Sequence, residues 1–231
     1  MPFMLFDPTM IILIPALIFA MWAQWKVQRT YQEYSKIRAS NGLTGRDMAR
    51  AILDRNGLAD VEVREVGGIL SDHYDPRTKT VNLSPQNYRE PSLAAIAVGA
   101  HEVGHAIQHA TGYTPLGFRT ALVPVASLGS MLAFPLFLIG FLFAAPGLKW
   151  LMDLGILFFS GAVLFQIITL PVEFDASKRA LVQLSSSGAI ATQEVEGAKR
   201  VLDAAALTYL AAAAVAALQL LRLVLLRNSR D

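Results

Sequence analysis

Two long apolar stretches decide the fold: residues 121–145, ALVPVASLGSMLAFPLFLIGFLFAA, and residues 150–171, WLMDLGILFFSGAVLFQIITLP. Each is long enough for a helix that crosses the hydrocarbon core of a bilayer, which takes about 20 mostly apolar residues. A short turn at Ala145-Pro146-Gly147 separates them, so the pair predicts a helical hairpin through a membrane. Residues 8–25 and about 204–226 are apolar stretches of the same kind. The sequence therefore predicts four transmembrane helices.

The composition agrees with a membrane protein. Of the 231 residues, 54% are hydrophobic and 16% are charged, and the mean hydropathy is +0.42, which is too apolar for a soluble domain with a polar surface. A net charge of +2 gives no basic face for nucleic acid, so nucleic-acid binding is excluded. The chain has no cysteine, which excludes disulfides and cysteine nucleophiles and leaves histidines and carboxylates as ligands for a transition metal.

The basic residues beside the spans predict the orientation in the membrane. Lys26 and Arg29 follow the first apolar stretch instead of preceding it, so this stretch is expected to stay as an anchor and not to be cleaved as a signal peptide. Four spans put segments 26–120 and 172–203 on one side and both termini on the other. Because more basic residues flank the spans on the first side, we expect a multi-pass protein of the bacterial cytoplasmic membrane with these segments in the cytoplasm.

The polar region 26–120 is long enough for a small domain. Its sequence contains a capping-box pattern, stretches rich in β-branched residues and an alanine-rich segment preceded by serine, which together predict a small α+β domain between the first and second spans. The predicted elements are a helix capped by Thr44 and Asp47 that runs through Ile52, strands at 61–66, 69–74 and 80–83, and a helix capped by Ser92 that runs to about Ala110.

The helix predicted at 92–110 contains His101-Glu102-Val103-Gly104-His105, an HExxH motif. Two imidazoles four residues apart lie on one helical face, so both can reach one metal ion, and Glu102 can reach a metal-bound water without being a ligand. Zinc lowers the pKa of that water, Glu102 accepts its proton, and the hydroxide attacks a polarised carbonyl group. The motif predicts amide hydrolysis, and the small residues Gly99 and Gly104 leave room for another backbone or a substrate.

A catalytic zinc needs a third protein ligand, for which three candidates compete. His109 continues the same helical face, but it lies another turn along the helix, and a solvent-facing histidine is the simpler interpretation. The third-histidine pattern HExxHxxGxxH is excluded because Gln108 and Thr111 stand at its last two positions. Glu173 directly follows the third span, on the same side as the HExxH motif under the predicted topology, and is the favoured candidate. Tyr88, Tyr113 and Arg179 are unranked candidates for stabilising an oxyanion, and His73 is better explained as a surface residue.

The order of these features matches a known family. The chain combines an anchor span, the segment 72–84 (DHYDPRTKTVNLS), HEVGH, a hairpin of two spans, the segment 171–177 (PVEFDAS) and a last span. Over nearly its whole length it resembles the YugP-like neutral zinc metallopeptidases. More distantly it is similar to the HtpX-like membrane proteases and CAAX prenyl endopeptidases, gluzincins in which a glutamate after later spans completes the site. The resemblance implies one zinc ion per chain, held by His101, His105 and Glu173, with Glu102 as the general base.

The resemblance also implies that the α+β region is zincin-like. Strand 80–83 is then either the sheet edge along which such peptidases hold an extended peptide or a strand inside the sheet. HtpX-like proteins place an acid four residues after the glutamate ligand to support a zinc histidine, and Ser177 stands there in this chain, which makes Asp175 or another group the candidate for that support. The expected divisions are 1–25 as first anchor, 26–120 as zincin-like domain, 121–171 as hairpin, 172–203 as the segment with the third ligand and 204–231 as last helix and tail.

The sequence and the resemblance together predict an integral-membrane zinc endopeptidase that hydrolyses peptide bonds. Its expected partners are the lipid bilayer and polypeptide substrates, namely membrane or misfolded proteins, in a quality-control role. One alternative is a site-2-type intramembrane protease to which Asp153 lends a carboxylate, but Asp153 lies at the far end of the third span from the HExxH motif. The other alternative is a non-catalytic membrane scaffold with a degenerate site.

Overall fold

The structure is a computed structural model that describes residues 8–143 and 147–229, so Ala145 and Pro146 of the predicted turn lie outside the described residues. The chain is mainly helical, with one small sheet. In chain order, the elements are a 3-10 helix Pro8–Leu13, α1 Ile14–Tyr34, α2 Gly45–Arg55, β1 Glu62–Glu65, β2 His73–Asp75, β3 Thr80–Leu83, α3 Pro85–Arg89, α4 Leu93–Ala110, α5 Thr114–Leu142, α6 Trp150–Ser187 and α7 Thr192–Asn228.

Within the described residues, four helical segments are long and apolar enough to cross a membrane: Pro8–Tyr34, Thr114–Leu142, Trp150–Ser187 and Thr192–Asn228. The prediction of four candidate spans is confirmed. The helices extend beyond the apolar stretches, most clearly in α6, which continues through Pro171. Proline removes one backbone hydrogen bond and bends a helix without necessarily ending it, and long membrane helices commonly accommodate it.

The chain divides into two compact units, and the first comprises the described residues of Met1–Ala23, Phe118–Leu170 and Thr208–Asp231. Its core contains Phe137, Met152 and Leu223. A Cβ atom at Gly129 would lie 2.5 Å from the carbonyl oxygen of Phe158, so α5 and α6 approach through a small residue, as membrane helices often do. Outside that core, Arg227 pairs with Asp153 at 2.8 Å.

The second unit, Gln24–Gly117 and Pro171–Leu207, contains the sheet. The strand order is β1-β3-β2, with β1 parallel and β2 antiparallel to β3. All four residues of β3 are buried. Strand 80–83 is therefore the central strand, and the possibility that it forms the edge of the sheet is wrong; β1 and β2 are the edges.

The strand predicted at 69–74 is mostly wrong. Strand β2 begins at His73, and the residues before it form a loop in which Ile69 is 94% exposed. Leu70 and Gly68 have positive φ angles of 57° and 112°, which a strand does not allow. The apolar pair Ile69-Leu70 predicts a strand because residues of this kind favour strands with one buried face. In the structure both side chains are exposed, so this reason for a strand is missing.

Helix α4 lies at the centre of the second unit, where its buried residues Ile96 and Val103 belong to the main core. The predicted caps are confirmed: the Ser92 hydroxyl accepts from the Ala95 N–H at 3.2 Å, and Thr44 forms a capping box with Asp47 at the start of α2. Helix α2 packs on α4 at a glycine, because a Cβ atom at Gly99 would lie 2.6 Å from the carbonyl oxygen of Gly45. These contacts hold the HExxH segment in a fixed place.

Candidate metal centre

Helix α4 presents His101 and His105 on one face, with their ring centroids 4.8 Å apart and the ring planes nearly perpendicular. Gly104 lies beside them on the helix. A Cβ atom at this position would be 2.4 Å from the carbonyl oxygen of Ala176, so the absence of a side chain lets α4 and α6 pack backbone to backbone. Because Glu173 precedes Ala176 by about one turn of α6, this close packing brings its carboxylate to the two imidazoles.

Three potential ligand atoms converge between the two helices. Oε2 of Glu173 lies 3.2 Å from Nε2 of His101 and 3.5 Å from Nε2 of His105. One donor atom from each residue lies within 4.8 Å of the other two, and Glu173 and His105 are buried. Buried ionisable groups that converge in this way are costly unless they are paired or bind a metal, so these three residues form a candidate metal centre.

The donor set suits zinc. Two imidazole nitrogens and one carboxylate oxygen, with no thiolate, match the ligands of catalytic zinc sites, which keep a fourth position open. Both rings turn Nε2 towards the centre and Nδ1 away from it. Nδ1 of His101 lies 3.1 Å from the Ser177 hydroxyl and Nδ1 of His105 lies 3.0 Å from Oε1 of Gln108. Such outer hydrogen bonds orient metal-binding histidines in general.

The chain matches, over residues 9–228, the family described as "Putative neutral zinc metallopeptidase". It belongs to that family. It is also 49% identical over 219 residues, which are 94% of this chain and 96% of the relative, to the "Putative membrane protease YugP" of Bacillus subtilis (strain 168). No solved structure matches the chain. The resemblance drawn from the sequence is thereby confirmed, and the metal of the neutral zinc metallopeptidase family agrees with the donor set of the candidate centre.

The outer hydrogen bonds differ in part from the sequence-based expectation for this family member. Ser177, at the position where HtpX-like proteins have an acid, contacts His101 itself. Asp175 contacts neither histidine and instead accepts a hydrogen bond from Nε2 of Gln108 at 2.9 Å. Sequence reasoning missed Gln108. The sequence did contain a signal for Gln108. It is a long polar side chain three residues after His105, on an alanine-rich helix, and a buried polar group needs a hydrogen-bond partner.

Glu102 is buried on α4 beside the candidate ligands. Burial raises the pKa of its carboxyl group; positive charge on His101 and His105 lowers it, and the negative charges of Glu173 and Asp72 raise it again, with a net increase. A carboxylate with a raised pKa is a stronger base than an ordinary glutamate, which suits a group that accepts a proton in general acid–base catalysis.

The other predicted candidates lie in other surroundings. His109 is exposed, and its Nδ1 lies 2.9 Å from the Tyr74 hydroxyl, so it does not join the candidate centre. His73 contacts the Ser71 carbonyl oxygen through Nδ1 at 2.8 Å. Arg179 pairs with Asp175 and lies over the ring of Tyr113, and the guanidinium of Arg46 lies over the ring of Tyr88.

Proposed function

We propose that this chain is an integral-membrane zinc endopeptidase. The observation that carries the proposal is the convergence of His101, His105 and Glu173 on one buried point, with the non-ligand carboxyl group of Glu102 on the same helix turn. Structural zinc sites use four protein ligands, whereas three ligands and a neighbouring carboxylate are typical of hydrolytic sites.

In the proposed mechanism, His101, His105 and Glu173 hold the ion. Zinc, when bound, supplies a Lewis acid that activates water and polarises the scissile carbonyl group. Glu102 accepts the proton of the attacking water and then donates it to the amine of the departing peptide. Its raised pKa favours the first of these transfers, because a carboxylate with a raised pKa is a stronger base than an ordinary glutamate.

The proposed substrates are extended stretches of membrane or misfolded proteins. Strand β2 is a sheet edge, and α4, which carries Glu102, packs against both β2 and β3. An extended polypeptide can add to such an edge through backbone hydrogen bonds, which require no particular sequence. This sheet beside the HExxH helix also supports a zincin-like assignment for 26–120, with 172–203 supplying the third ligand. The excess of basic residues near the span ends supports a cytoplasmic position for both segments.

The site-2-type alternative has less support. It requires the HExxH helix to lie in the bilayer, but α4 is not among the candidate spans of the described chain, and Asp153 already pairs with Arg227. The scaffold alternative is compatible with the same arrangement of His101, His105 and Glu173. A scaffold with a degenerate site would bind no zinc and cleave no substrate, so zinc content and a cleavage assay distinguish it.

The test is zinc content and cleavage of casein by the detergent-purified full chain. Glu102→Gln is expected to keep about one zinc and lose nearly all activity, because the amide cannot accept the proton. Glu173→Ala is expected to lose zinc. Glu90→Gln, which changes an exposed glutamate, is the matched control and should behave as the wild type. A wild type without zinc, or full activity in Glu102→Gln, would refute the proposal.

A further inference from the structure

The side-chain amide of Gln108 connects the two helices that carry the candidate ligands. Gln108 is 0% exposed. Its Oε1 lies 3.0 Å from Nδ1 of His105 on α4, and its Nε2 lies 2.8 Å from the carbonyl oxygen of Val172 and 2.9 Å from Oδ2 of Asp175 on α6. Val172 and Asp175 are on either side of Glu173 in the chain. One amide therefore contacts one candidate ligand and the segment that bears another.

The surroundings of Gln108 determine which end of its amide faces which partner. The carbonyl oxygen of Val172 and the carboxylate of Asp175 are acceptors, so the end of the amide that faces both of them is the NH2 group. Nε of Arg179 donates to the same Asp175 carboxylate at 2.5 Å, so this carboxylate accepts from both Arg179 and Gln108. The amide oxygen is left to face His105, where it can accept a hydrogen bond and cannot donate one.

We infer that Gln108 is a positioning residue that selects the tautomer of His105. Because the amide oxygen accepts from Nδ1, the ring proton resides there, and the lone pair of Nε2 points at the candidate metal position. The Ser177 hydroxyl beside His101 can either donate or accept, so it orients that ring without selecting a tautomer. The inference rests on the proposed zinc site. It adds a chain of contacts that orients His105 for metal binding, which runs from Arg179 through Asp175 and Gln108 to His105.

Two substitutions of Gln108 test this chain of contacts. Gln108→Leu keeps the approximate size and removes the acceptor, and the zinc affinity is expected to fall about 10- to 100-fold, the effect typical of losing an outer partner of a zinc histidine. Gln108→Met keeps the unbranched shape and approximate length of glutamine and also removes the acceptor. We expect a similar loss of zinc affinity in this variant.

The matched control is Gln183→Leu. Gln183 is a glutamine of α6 that donates to Oδ1 of Asn56 at 3.2 Å and touches none of the candidate ligands, so its replacement should leave zinc affinity unchanged. Thermal unfolding of each metal-free variant detects a general loss of fold. If Gln108→Leu does not fold, Gln108→Met, whose side chain has nearly the shape of glutamine, still decides the question.

The measurements are zinc affinity by competition with a chromogenic chelator and 15N NMR of the ring nitrogens, both on the full chain in detergent. Four histidines give few enough signals to assign by substitution. In the zinc-loaded wild type, Nδ1 of His105 should be protonated and hydrogen-bonded, and Gln108→Leu should shift the 15N resonance of that nitrogen because its acceptor is lost. An unprotonated Nδ1 in wild type, or wild-type zinc affinity in both variants, overturns the inference. Absence of zinc binding by wild type would instead refute the proposed function.

Discussion

His105 and His109 lie one turn apart on α4, and the difference in their surroundings predicts opposite effects of substitution. His105 is buried with Nε2 at 3.5 Å from Glu173, whereas exposed His109 contacts the Tyr74 phenol. Burial and the charges of Asp60 and Asp75 raise the pKa of that phenol to about 12, so Tyr74 is protonated at neutral pH and can donate to His109.

We therefore expect His105→Ala to lower the zinc affinity by more than the roughly 10- to 100-fold that follows the loss of an outer hydrogen-bond partner. His109→Ala is expected to keep the zinc affinity of the wild type. Zinc content by atomic absorption, after dialysis against a weak chelator, measures both variants. The comparison is internally controlled, because each variant removes one imidazole from the same helix. Zinc loss in His109→Ala would return this histidine to the ligand set and remove the case for Glu173.

At the scale of elements, the contact between α4 and α6 depends on Gly104, a variable position of the HExxH motif. A Cβ atom there would lie 2.4 Å from the Ala176 carbonyl oxygen, which belongs to a backbone that cannot easily move. Gly104→Ala is expected to destabilise the protein by about 1–3 kcal/mol, as overpacking does, and to lower zinc affinity because Glu173 moves with α6.

Gly117→Ala is the matched control for this helix contact. No atom lies within 4 Å of a Cβ placed there, and the position is helical, so alanine should be neutral or stabilising by up to about 1 kcal/mol. Thermal unfolding in detergent and zinc titration compare the two variants. Equal behaviour of Gly104→Ala and Gly117→Ala would show that close packing of α4 on α6 does not assemble the centre.

Local signals in the sequence were sufficient for the helices and insufficient for the contacts between distant segments. The caps at Thr44 and Ser92 were predictable because a cap involves residues three apart. Strand 69–74 failed because the apolar pattern of Ile69 does not reveal whether a surface covers it. The role of Gln108 could not be predicted, since its partners Val172 and Asp175 are more than sixty residues away.

At the scale of the whole molecule, the candidate centre constrains the membrane topology. Between His101 and Glu173, the chain contains the candidate span Thr114–Leu142 and the apolar first part of the candidate span Trp150–Ser187. Their side chains meet, so the two segments must lie on the same side of a membrane, which an even number of crossings between them allows. Geometry gives no preference for either side; the preference for the cytoplasm comes from the basic residues near the span ends.

The absence of cysteine makes this topology directly measurable, because a single introduced thiol has no background. Ser185, at the exposed end of α6, and Ser229, after α7, should lie on opposite sides of the membrane. In intact bacterial cells, a membrane-impermeant maleimide is expected to label Ser229→Cys and to label Ser185→Cys only after permeabilisation, while the cysteine-free wild type stays unlabelled. The reverse result would keep the four spans and move the centre out of the cytoplasm. Equal labelling of both variants in intact cells would mean that α7 does not cross the membrane.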